Sequence, residues 1–128
     1  MTHNSYWVYI LTNGRNSVFY VGMTNNLERR LAEHRAGQPG SFTTQYNVWK
    51  LVYAERYRTP REAIEREKRL KRWHRAWKVE LVATMNPRFQ SLTLAELGER
   101  IARLEDKGQG QRRGDPGSPS ATRGRGPG

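Results

Sequence analysis

The residue pattern of this 128-residue chain predicts an α+β fold, a short three-stranded antiparallel sheet flanked by helices. Two observations carry most of that expectation. Two aromatic and β-branched runs, Tyr6 to Thr12 and Val18 to Gly22, are joined by Asn13-Gly14-Arg15-Asn16. Asn-Gly between such runs marks a tight hairpin turn, so the first two strands pair antiparallel. Thr59-Pro60-Arg61-Glu62 and Thr93-Leu94-Ala95-Glu96 are capping boxes, in which a threonine hydroxyl and a glutamate three residues on satisfy each other's backbone N–H groups; the first also has a proline in its opening turn.

The remaining elements follow in order. Asn25 or Asn26 can cap a helix running to about Arg35, which Gly37, Pro39 and Gly40 end in a loop. Val48 to Tyr57 alternates, with Val48, Leu51 or Val52, and Ala54 among polar neighbours, as a third strand would. A helix from Pro60 runs past Leu70; a further helical stretch, bent from it near Trp73 to Arg75, continues to Met85 and stops at Asn86-Pro87. The second capping box opens a last helix to about Asp106. Beyond it the sequence is Gly, Pro, Ser, Arg and Gln with almost nothing apolar, too little to offset the entropy of ordering its backbone. The expected organisation is one domain over residues 1–90, a C-terminal helix over 91–106 and a disordered basic tail over 107–128.

Lys plus Arg number 23 against 12 Asp plus Glu, a formal charge of +11, of which the tail carries +4 and the body +7. The expected partner is therefore a polyanion, most simply nucleic acid, with an anionic membrane surface the lesser alternative. Cysteine is absent, which excludes disulfides and thiolate metal sites and fits a reducing compartment. No apolar run approaches the roughly 18 residues of a membrane span and the N-terminus lacks a signal pattern, so a soluble, cytoplasmic protein is expected, with no membrane partner.

Five residues are the candidates for chemistry. On the helix from Pro60, Glu67 falls on the stripe marked by Ala63, Ile64, Leu70 and Trp77, and an inward carboxylate needs a cation or a metal as partner. Glu62 to Arg66, Glu65 to Arg69 and Glu67 to Lys71 are also i,i+4 pairs in the favourable order, and on spacing alone the salt bridge is the first reading of Glu67. Asp does not occur before Asp106, so an Asp-rich two-metal site is hard to assemble, and any metal chemistry would use a single Mg²⁺ or Mn²⁺ held by oxygen ligands and water. Arg30 and His34, four apart on one helix face, can point into the same cleft, where a guanidinium grips phosphate with two parallel hydrogen bonds. Arg29, Arg30 and Arg35 read equally as a solvated basic face. Tyr9 and Tyr20 are strand tyrosines; for either phenol to act as a base, a cation such as Arg30 must stabilise its phenolate. Gly22 either ends its strand or lets a phosphate or the next helix approach the backbone. Between Arg56 and Lys78 stand ten basic and three acidic residues with Trp73, His74 and Trp77 among them, either a nucleic-acid groove or a wet face over packed tryptophans.

Taken in order, Trp7-Val8-Tyr9, Tyr20-Val21-Gly22, Asn26-Leu27-Glu28-Arg29-Arg30 with His34, Glu62 to Lys68, and Asn86-Pro87 resemble the GIY-YIG endonuclease family, specifically its small single-domain bacterial members, over about residues 6 to 90. The resemblance implies a three-stranded antiparallel sheet flanked by helices and metal-dependent hydrolysis of DNA. It implies that Tyr9 activates water, that Tyr20 shapes the site and orients water or phosphate, that Arg30 stabilises the phosphate with His34 one turn later, and that Glu67 binds the metal. Trp7 stands where the motif name has glycine, and Met23 where some relatives carry lysine. Arg29, Arg35, Lys68, Lys71 and Arg72 are the expected nucleic-acid contacts. The expected function is a metal-dependent endonuclease acting on DNA. The alternatives are a non-catalytic nucleic-acid-binding module on the same scaffold and an RNA-associated protein.

Overall fold

The computed structural model describes residues 5–37 and 45–106, so the expected tail and the loop at Pro39 and Gly40 lie outside the described residues. Strands β1 (Tyr6–Thr12), β2 (Phe19–Thr24) and β3 (Lys50–Tyr57) form an antiparallel sheet in the order β2-β1-β3. Helices α1 (Leu27–Ala36), α2 (Pro60–Arg72), α3 (Arg75–Ala83) and α4 (Leu94–Asp106) flank it. The α+β class and the three-stranded antiparallel sheet are as expected.

The hairpin differs from a tight Asn-Gly turn. Thr12 faces Phe19, leaving residues 13–18 as the connection, and Asn13 holds it: its Oδ1 accepts from the N–H of Ser17 at 2.8 Å and of Val18 at 3.2 Å. Val18 thereby spends its N–H on the loop, so β2 begins one residue later than expected. The left-handed position is Asn16, at φ 58°, and not Gly14.

Directly opposed residues in an antiparallel pair share a face. Trp7, Tyr9, Gly22, Thr24, Ala54 and Arg56 therefore stand on one side, and Val8, Ile10, Val21, Met23, Tyr53 and Glu55 on the other. The expected alternation in β3 is absent because Leu51 to Glu55 are all buried, both sides being covered. Its outer edge is closed as well: Asn86 Nδ2 donates to the carbonyl of Val52 at 3.1 Å and the Leu92 N–H to that of Leu51 at 2.9 Å.

The second capping box forms in full, Thr93 and Glu96 exchanging bonds of 3.1 and 2.9 Å. At the first, Thr59 Oγ1 accepts from the Glu62 N–H at 3.2 Å, but the Glu62 carboxylate accepts from the Thr59 hydroxyl and not from its N–H. The expected second helical stretch forms, ending at Ala83 and not at Met85, and the bend near Trp73 is a full break, because Trp73 and His74 are extended (ψ 148° and 157°). That break sends the Trp73 ring into the core. Among the described residues no helix is long and apolar enough to cross a membrane.

Candidate active site

The site begins at Tyr9 in the middle of the central strand, where its side chain is fully buried. Opposite it in register stands Gly22, and the Tyr9 phenol occupies the space a side chain there would need: a Cβ at position 22 would lie 2.5 Å from the Tyr9 hydroxyl oxygen and 2.9 Å from the Tyr20 ring. Gly22 thus neither ends the strand nor receives a helix; it makes room for the two phenols.

Helix α1 supplies the polar partners. Asn26 caps it by accepting from the Arg29 N–H at 3.0 Å, and Leu27 and Leu31 bury its apolar stripe. Arg30 and His34 flank that stripe and reach the phenol: Tyr9 Oη lies 2.9 Å from His34 Nε2, and Arg30 Nε donates to Tyr9 Oη at 3.4 Å. Tyr20 completes the group, its ring centroid 6.3 Å from that of Tyr9 and 5.4 Å, edge-on, from that of His34.

A guanidinium only donates, so the Tyr9 oxygen accepts from Arg30. Between Tyr9 Oη and His34 Nε2 the donor follows the imidazole tautomer, and a neutral His34 protonated on Nδ1 takes the Tyr9 proton at Nε2. The titration shifts agree: burial, then the charge of Arg30, hold the His34 imidazole below its ordinary 6.5, in the neutral form. Burial pushes the Tyr9 phenol up to about 12, against the lowering hydrogen bond from Arg30. Tyr9 is therefore a neutral phenol at physiological pH. The Arg30 guanidinium is also turned by Glu33, whose Oε1 accepts from Nη1 at 3.2 Å.

Glu67 is joined to this group through charge. It is among the groups whose charge raises the Tyr9 phenol, and its side chain is 21% exposed. Its ion-pair partner among the described residues is Lys71, at 3.1 Å, so the expected i,i+4 pair exists. The buried stripe of α2 is Ala63, Arg66 and Leu70. Ile64 is exposed and Trp77 lies on α3, so Glu67 flanks the stripe and does not sit on it. Of the expected surface contacts, Arg29, Arg35, Lys68, Lys71 and Arg72 are all exposed, with Arg29 3.7 Å from Glu33. Trp73 is buried and meets the partly buried Trp77 edge-on at 5.5 Å, so the two tryptophans pack on each other against the core.

Sequence reasoning missed one feature of the helix that carries Glu67. Arg66, expected to pair with Glu62, instead makes a buried two-pronged ion pair with Glu55, Nε to Oε1 and Nη2 to Oε2, both at 2.9 Å. Glu62 stays with its cap, accepting from Thr59 Oγ1 at 3.2 Å. The available signal was position: Arg66 stands three after Ala63 and four before Leu70, inside the apolar stripe.

A buried tyrosine on the central strand, a second on its neighbour, an Arg/His pair one helical turn apart and a glutamate on a later helix define a catalytic-domain class. The model of the GIY-YIG catalytic domain matches residues 5–80, and the chain belongs to that family. A UPF0213 protein of Natronomonas pharaonis is 38% identical over 78 residues, 61% of this chain and 91% of the relative. One from Oceanobacillus iheyensis is 34% identical over 95 residues, 74% of this chain and 94% of that one. The solution NMR structure of a UPF0213 protein from Bacillus halodurans aligns at 26% identity and a TM-score of 0.45, covering 68% of this chain and 92% of the other.

Proposed function

We propose that the protein is a metal-dependent endonuclease that hydrolyses phosphodiester bonds in DNA, acting in the cytoplasm, where a chain without cysteine needs no oxidising compartment. The observation that carries this reading is the hydrogen-bonded line Arg30–Tyr9–His34, built over a glycine that the two phenols require.

The donor set fits one hard cation. Among the described residues no three His, Cys, Asp or Glu side chains cluster, so the protein would offer the Glu67 carboxylate and leave the other positions to water and phosphate oxygen. Mg²⁺, or Mn²⁺ in its place, would supply charge stabilisation at the scissile phosphate when bound. The other roles belong to the chain. Once substrate binding admits a water beside the otherwise buried Tyr9, that water gives its proton to the phenol oxygen as the phenol passes its own to His34 Nε2, so a neutral tyrosine acts as a relay and a neutral histidine as the final base. The resulting hydroxide forms a new bond to phosphorus while the bond from phosphorus to the leaving oxygen breaks, the leaving oxygen keeping that electron pair and taking a proton from solvent water as it departs. Arg30 holds the phenol oxygen with Nε and has further N–H groups for the phosphate. Tyr20 walls the pocket beside His34. The exposed cations on α1 and α2 hold the flanking DNA backbone.

The Glu67–Lys71 ion pair supports a rival reading, since it already gives that carboxylate a cation: a nucleic-acid-binding module without catalysis, for DNA or RNA. Supercoiled plasmid incubated with the protein and Mg²⁺ or Mn²⁺ separates the two. Nicking by the wild type that disappears in Glu67→Gln is the expected result. Equal nicking by both proteins, or none on plasmid, branched or single-stranded DNA, refutes the enzyme.

A further inference from the structure

We propose that Arg66 is a positioning residue for Glu67, acting through a buried socket that fixes the roll of α2 on the sheet; this rests on the reading of Glu67 as the metal-binding carboxylate. The socket has four walls. Glu55 projects from β3 on the side opposite Tyr9 and takes both prongs of Arg66 at 2.9 Å, with the two side chains only 2% and 3% exposed. Tyr53 and Tyr57 aim Glu55 by donating to its two oxygens at 2.5 and 2.6 Å, and the Trp73 ring lies 5.3 Å from the Arg66 guanidinium.

Stability does not require this arrangement, because an apolar pair of similar volume commonly serves a core as well as a buried ion pair does. What a forked pair adds is direction. Ala63 and Leu70, the other buried residues of α2, make contacts without orientation and resist rolling weakly. Glu67 follows Arg66 by one residue, about 100° around the helix, so the angle fixed at Arg66 sets the angle of Glu67. A side-chain end lies about 6 Å from the axis, so a roll of about 20° swings the Glu67 carboxylate by about 2 Å. That equals a whole Mg²⁺–oxygen distance. Lys71, on the same helix, rolls with Glu67, so their ion pair gives no restoring force.

The test is Mn²⁺ binding, followed by electron paramagnetic resonance, on the full chain as wild type, Glu67→Gln, Arg66→Lys, and the doubly neutral Glu55→Gln with Arg66→Met. Arg66→Lys keeps the charge and loses the fork. The double variant removes both charges while leaving an acceptor for the tyrosine hydroxyls. Expected in each variant that melts cooperatively is Mn²⁺ affinity at least tenfold weaker, with metal-free DNA affinity within about twofold of wild type, a separation that general loosening of the fold would not give. Wild-type Mn²⁺ affinity in either folded variant overturns the proposal. A wild type that binds Mn²⁺ no better than Glu67→Gln overturns the reading of Glu67 itself and the positioning role with it, and is told apart because no Arg66 variant is needed to see it.

Discussion

Substituting Gly22→Ala tests the site at its tightest point. The added methyl would sit 2.5 Å from the Tyr9 hydroxyl oxygen, 2.6 Å from the ring carbon bearing it and 2.9 Å from the Tyr20 ring. Unbonded carbon atoms settle at about 3.5–4.0 Å, so the phenol must retreat by about 1 Å. It has little room, being fully buried between β2 and α1. A shift of that size would disturb both the 3.4 Å bond to Arg30 and the 2.9 Å contact with His34, whose geometry hydrogen bonding tolerates only within a few tenths of an ångström. Overpacking of this kind costs about 1–3 kcal/mol of stability, and a catalytic group displaced by about 1 Å loses about 10²-fold in rate. The assay is single-turnover plasmid nicking below the melting temperature of both proteins, with metal-free DNA affinity measured alongside. The matched control is Gly14→Ala, where a Cβ meets nothing within 4 Å; it should nick at the wild-type rate. A folded Gly22→Ala protein that nicks as fast as wild type would refute the idea that the position of the Tyr9 phenol matters.

Two further outcomes follow from the same geometry. If neutral His34 is the final proton acceptor, nicking should fall on the acid side with an apparent pKa below 6.5; that limb should vanish in the residual activity of His34→Gln, and its persistence there would assign the titration elsewhere. Stability should move in the matching sense. The lowered His34 value contributes stability that is complete above about pH 6.5 and lost as pH falls through the folded-state value; the raised Tyr9 value contributes stability complete below about pH 10 and lost as pH rises through about 12, both readable from melting temperature against pH. Asn86→Ala should cost about 3 kcal/mol, a fall of roughly 10 °C in melting temperature, because its fully buried amide serves the Val52 carbonyl and both backbone groups of Gln90. A loss under 1 kcal/mol by denaturant titration would show that water replaces it.

Local rules reached most of the fold and stopped where partners are distant in the chain. β1 was legible as an aromatic run, Asn26 as a cap and Thr59 and Thr93 as helix starts because each signal lies within four residues of its effect. The break at Trp73 was read as a bend because nothing nearby forces it; the pull is the core, which receives the indole only if the backbone turns out of the helix. Arg66 was assigned to Glu62 by the i,i+4 rule, although its partner Glu55 lies eleven residues away on a strand and the bond exists only once α2 is laid on the sheet. Tyr9 and His34, 25 residues apart, were named as candidates but not as a bonded pair. No periodicity encodes that contact.

In the proposed mechanism the site divides two jobs between two helices. Proton handling belongs to β1 and α1, where Arg30, Tyr9 and His34 form one line and Gly22 sets its depth. Charge handling would belong to α2, where the Arg66–Glu55 pair on the opposite side of the sheet is proposed to aim Glu67. A phenol held neutral at about 12 cannot serve as a standing phenolate, so its use depends on an acceptor close enough to take its proton during the reaction. His34 at 2.9 Å, itself kept neutral by burial and by Arg30, meets that need. In that mechanism the guanidinium proposed to lower the cost of charge on phosphate also keeps the imidazole free to take the proton, so a substitution that removed Arg30 would disturb both jobs at once.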